Sequence, residues 1–197
     1  MRSHTATILA LCMVAGAASG LEGQTSSADT NQSRVTDVRL YLRAVAREHG
    51  VPGRELEVLG TWVEHPAELP VLLYIAGRAG VTPDLLGSMR DAGNSWQRIA
   101  LRFGVGPAAF HVPIAGSVPE GVLARPVREF ARPAGEWHQI AMTDLEIIAL
   151  VNLRTLSNQL GTTPEALLPE IDSLSPDFIG AYARVIRTRA GTEPPAN

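Results

Sequence analysis

Lysine is absent, and all 17 basic side chains are arginine. That excludes chemistry needing a side-chain primary amine: a Schiff-base lysine, the P-loop lysine that reaches a nucleotide phosphate, and the lysine of the Ser-x-x-Lys acyl-transfer motif. Cysteine is nearly absent too. The single one, Cys12, lies in the apolar N-terminal stretch, and without that stretch the chain has no disulfide, thiol nucleophile or cysteine metal ligand. Aromatic side chains make up 5% of the 197 residues, which disfavours a sugar-stacking groove. Long apolar runs are missing as well. A helix needs about 20 apolar residues to cross a bilayer, and the run from Ile8 to Ala18 is roughly half of that, so no stable membrane span is expected.

That short run has the grammar of a secretory signal. Arg2 supplies a positive start, and Ala17, Ala18, Ser19 and Gly20 are the small residues a signal peptidase requires. The expectation is a signal peptide over 1–20, cleavage near residue 20 and an exported protein, periplasmic or extracellular. Bulky Leu11 before Cys12 argues against lipidation. Residues 21–33, LEGQTSSADTNQS, are small and polar and read as a flexible leader, and 190–197 as a disordered tail. Without the first 20 residues, sixteen arginines face twenty acids for a charge of −4. This mild acidity weighs against general affinity for nucleic acid or anionic membrane.

The remaining chain, 34–189, reads as one all-α domain of seven or eight short helices. Val35, Val38, Leu42 and Val45 recur at helical spacing until Gly50. A short helix follows near Arg54 to Leu59, and another runs from about Pro70 to Ala79. Gly80 stops that helix, and Thr82 and Pro83 open the next, with the threonine expected as its cap. Ser95 is expected to cap a helix whose apolar stripe is Trp96, Ile99, Ala100 and Phe103. Thr143 and Glu146 form a capping box for a long helix to Leu160, which Gly161 ends before Thr163 and Pro164 restart the chain. Gly80-Val81-Thr82-Pro83-Asp84-Leu85-Leu86 matches Gly161-Thr162-Thr163-Pro164-Glu165-Ala166-Leu167, and Ser95 and Ser175 then each open a third helix. Two tandem units are therefore expected, 34–104 and 143–189, with His49 to Trp62 as a shorter third copy. Between them, 105–142 holds prolines 107, 113, 119, 126 and 133 and reads as an irregular insertion, with a short strand where Phe110, Val112 and Ile114 alternate.

Gly93-Asn94-Ser95-Trp96-Gln97-Arg98-Ile99-Ala100-Leu101-Arg102-Phe103-Gly104-Val105 resembles the first helix and turn of a helix-turn-helix DNA-binding motif. A recognition helix bearing Arg, Asn or Gln should follow. Instead Gly106 to Pro113 has prolines near both ends and no arginine, so no nucleic-acid partner is expected. The wider tandem arrangement resembles uncharacterised secreted bacterial helical proteins, which implies a helical fold and no particular activity.

Candidate sites are sparse. Arg39, Arg43 and Arg47 share one helix face. A polyanion would suit them, but with Asp37 and Glu48 nearby and Val38, Leu42 and Val45 opposite they read as an ordinary solvated face. His49, His65, His111 and His138 lack the four-residue spacing of a helical zinc pair, and no metal or cofactor is expected. Glu64 with Glu68, or Glu55 with Glu57, would serve glycoside hydrolysis only across a cleft. Gly87-Ser88 and Gly116-Ser117 lack the Gly-x-Ser-x-Gly elbow of a serine nucleophile. The expected binding surface is the insertion, with Phe110, His111, Arg125, Arg128, Phe130, Trp137 and His138 as anchors. Arg125 and Arg128 are expected to be exposed and dispensable for stability. The function expected is a noncatalytic exported scaffold or binding module for a protein or envelope component. A small envelope-directed hydrolase is the alternative.

Overall fold

A computed structural model describes the backbone of residues 22–116, 119–171 and 176–192. The expected signal peptide and cleavage site, Cys12, Ser117, Ser175 and the residues from 193 lie outside the described residues. The chain divides into two units, 1–33 and 34–197. In the first, residues 22–33 carry helical backbone, where a flexible leader was expected, and they belong to α1 (Glu22–His49). Past Gly23 this segment has no glycine or proline to stop a helix, and adding residues to an existing helix is far easier than nucleating one.

The second unit is all-α, with helices and 3-10 turns and no strand among the described residues. After α1 come α2 (Gly53–Leu59), α3 (Leu69–Ala79), α4 (Pro83–Asp91), α5 (Trp96–Arg102), α6 (Ala124–Phe130), α7 (Asp144–Leu160), α8 (Pro164–Leu167) and α9 (Phe178–Thr192). α9 therefore runs past the point where a tail was expected to begin. α3 packs on α7 at the centre. Leu69, Leu72 and Ile75 on one helix and Ile147, Leu150 and Leu153 on the other are fully buried, together with Tyr41, Trp96 and Phe110.

The two expected units share their punctuation. Gly80 and Gly161 end α3 and α7 in the left-handed region at φ 67° and 57°, which glycine enters at no steric cost. Beyond them Val81 N–H donates to the Ala76 carbonyl and Thr162 N–H to that of Ser157. Thr82 and Thr163 then occupy matching extended positions before Pro83 and Pro164. The copies differ afterwards, since α4 has nine residues whereas α8 has four and passes into a 3-10 turn. Neither threonine side chain caps its helix, contrary to expectation. Ser95 does cap α5, and Thr143 with Glu146 closes the full capping box of α7. At the start of α9 the Asp177 carboxylate accepts from Gly180 N–H at 2.9 Å, the role expected of Ser175.

The insertion is more ordered than its prolines imply. It holds α6 and 3-10 turns at Pro107–Phe110, Gly121–Leu123 and Ala134–Gln139. α6 tolerates Pro126 because its first turn needs no donor there. Where a strand was expected, Phe110 and Val112 do turn inward, but side chains satisfy the backbone. Tyr74 Oη and Arg154 Nη1 donate to the Ala109 carbonyl, and Arg154 Nη2 donates to that of His111. Alternation here records a 3-10 turn that ends at Phe110 and passes into irregular chain lying on helices, with no strand among the described residues.

Candidate functional site

The expected binding residues of the insertion do not converge on one surface. Phe110 is buried, with its ring centroid 5.8 Å from that of Tyr74 on α3. His111, Phe130 and Trp137 do meet, with centroids 4.5 to 5.2 Å apart. Trp137 Nε1 donates to the Arg132 carbonyl at 2.9 Å, and His138 Nδ1 lies 2.7 Å from the Gly135 carbonyl. Arg125 grips the Glu146 carboxylate with two nitrogens and donates to the Ala141 carbonyl at 2.8 Å. Its side chain is 45% exposed, as expected, yet it anchors α6 to the α7 capping box. Arg128 is exposed.

Beside the aromatic trio lies a cleft of about 480 Å³ bordered by His111, Ile114, Val127, Phe130 and Glu165. Burial, and then the charge of Arg154, hold His111 below its ordinary value. Glu165 is held low by the Ala115 N–H, its own backbone and Thr163. The carboxylate thus answers to backbone donors and the imidazole stacks on rings, which is a fastening arrangement. No group of three His, Cys, Asp or Glu residues among the described residues is placed to hold a metal ion.

Of the carboxylates considered for hydrolysis, Glu68 has structural partners. Glu68 is 5% exposed and accepts from Arg90 Nε at 2.8 Å, Arg90 Nη2 at 3.3 Å and Trp96 Nε1 at 2.9 Å. Arg90 Nη1 reaches Asp144 Oδ2 at 2.5 Å, while Asp144 Oδ1 accepts from Trp96 N–H at 2.7 Å. This clip ties the start of α3 to α4, α5 and α7, and nothing in the sequence spacing announced it. It also fills the charge of Arg90 where that residue borders a cleft with Trp62 and Glu64.

A cleft of about 900 Å³ lies between α1 and α2, within the roughly 300–1,000 Å³ usual for small-molecule sites. Leu42, Ala46, Val51 and Leu56 give it an apolar floor. Arg39, Arg43 and Arg47 line it from α1, and Glu57 is the one acid among its lining residues. The nearby acids on α1 are turned elsewhere. Asp37 pairs with Arg187 at 2.5 Å, and the two Glu48 oxygens accept from Asn158 at 2.7 Å and Gln159 at 2.9 Å. The three arginines are themselves exposed, as a solvated face requires, while the two carboxylates expected beside them are engaged by α9 and α7. Arg47 Nη2 is 3.5 Å from Tyr182 Oη. Among the described residues, no ion pair engages any of the three arginines. Like charges spaced four apart on a helix cost about 0.2–0.5 kcal/mol per pair, so this stripe opposes folding slightly. The stripe was visible in the sequence; the α2 wall that turns it into a cleft was not.

Compared with protein-family models, curated proteins and solved structures, the chain matches none of them.

Proposed function

We propose that the protein is an exported, noncatalytic binding module that holds an anionic component of the cell envelope in the cleft between α1 and α2. The observation that carries this reading is the stripe of Arg39, Arg43 and Arg47, which faces one carboxylate across a concave apolar floor while Asp37 and Glu48 are paired elsewhere. A guanidinium presents a fixed fork of donors that suits phosphate or carboxylate oxygens. Export rests on Arg2, the run from Ile8 to Ala18 and the small residues through Gly20.

The test is capture from envelope extract on the immobilised protein, wild type against Arg39→Gln/Arg43→Gln/Arg47→Gln. Wild type should retain an anionic component in unaltered form, release it as salt rises, and lose it in the triple variant without losing thermal stability. Equal retention by the triple variant excludes this cleft. Release of cleaved glycan or peptide would favour the hydrolase instead.

A further inference from the structure

The geometry points to an anionic amphiphile as the guest of the α1–α2 cleft: a single molecule whose phosphate-type head sits among Arg39, Arg43 and Arg47 and whose alkyl chain lies on Leu42, Ala46, Val51 and Leu56. This inference rests on the reading of the cleft as an anion site. It adds the nature of the remainder of the ligand, which the floor determines. Leu56 is 2% exposed, and Leu42, Ala46 and Val51 are partly buried against the core, so the floor is rigidly backed hydrocarbon.

A peptide fits that floor poorly. An extended peptide brings an N–H and a carbonyl with every residue, and each costs free energy if buried without a partner. Part of the floor's backbone is already engaged, because Val51 N–H donates to the Ala46 carbonyl and the Pro52 carbonyl accepts from Glu55 and Leu56 N–H. An alkyl chain makes no such demand. The source is a free monomer and not a bilayer face, because the arginines border a concavity, whereas binding flat on a membrane places a helix's apolar face outward with cations beside it.

Calorimetric titration of the cell-purified protein with inorganic phosphate, butyl, hexyl and octyl phosphate, and the neutral octyl glucoside, all below micelle-forming concentrations, tests this. Each methylene that leaves water should tighten binding by about threefold to fourfold, and octyl glucoside should bind at least tenfold more weakly than octyl phosphate. Ala46→Phe, which fills the floor without touching a charge, should keep phosphate binding and flatten the chain-length dependence. If that variant does not fold, the series on wild type decides alone. Alkyl phosphates binding no more tightly than inorganic phosphate would overturn the inference and leave the anion site standing. Failure of every anion to bind would remove both. Binding to phosphatidylglycerol vesicles without binding to monomeric octyl phosphate would also overturn it, in favour of a membrane surface.

Discussion

Arg90 and Arg125 are the side chains on which the most depends, because each is the main cationic partner of a buried carboxylate. Arg90→Met leaves Glu68 with only Trp96 Nε1 among its observed donors and unties Asp144. Breaking such a pair from one side costs about 3–5 kcal/mol, and urea denaturation should show a loss of that size. A loss below about 1 kcal/mol, the ceiling for an exposed pair, would mean the clip is ornamental. Arg125→Ala should cost about 1–3 kcal/mol, since Glu146 then loses its charged donor inside the fold. Arg128→Ala, three positions along the same helix and likewise exposed, should shift stability by less than about 0.5 kcal/mol. A pair of arginines that composition treats alike is separated by what one of them reaches.

Caps separate the helices in the same way. Thr143→Ala removes an acceptor for Glu146 N–H and half of a reciprocal box, and should cost about 1 kcal/mol in denaturation. Thr82→Ala removes no cap bond and should cost only a few tenths. Equal losses at the two sites would contradict the geometry described. This contrast also marks how far the elements were legible. Helix ends were readable because Gly80, Gly161, Pro83 and Pro164 act through their own backbone restrictions, which need no neighbour. Whether a threonine hydroxyl turns toward the helix depends on rotamer and surroundings, and spacing says nothing about either. Phe110, Val112 and Ile114 show the same limit, since alternation reports which side chains turn inward without saying whether a strand or a 3-10 turn tied down by Arg154 carries them. The site was half legible for the same reason. Arg39, Arg43 and Arg47 were countable on one face, but the partners of Asp37 and Glu48 lie on α9 and α7, more than a hundred residues away.

For the molecule as a whole, acid should act in two stages. Burial holds His49 and His111 below their ordinary 6.5, with Glu48 opposing in the first and Arg154 adding in the second. The unfolded chain takes up these protons first, so their contribution is complete above 6.5 and is lost as pH falls below it and through the folded values. His49 Nε2 is buried without a partner, which sharpens this stage. Burial alone would raise Glu146, but hydrogen bonds from Arg125 and Thr143 outweigh it and hold the group below 4.5. Its contribution is present above 4.5 and disappears as pH drops further. The urea midpoint should be level from pH 8 to 7, fall on the way to 5.5, and fall again below 4.5. His49→Gln/His111→Gln should erase the first step, and Glu146→Gln the second; a midpoint that rises between pH 7 and 5.5 would refute the assignment. The α1–α2 cleft stands outside this titration, because its cations are all guanidinium and no histidine lines it. Arginine keeps its proton at every pH at which the chain is folded. The stripe is therefore a constant reference charge, and a pH profile of capture becomes a fingerprint of the guest. A phosphate monoester, taking its second charge near pH 6, would strengthen across that value, whereas a sulfate ester would give a level trace.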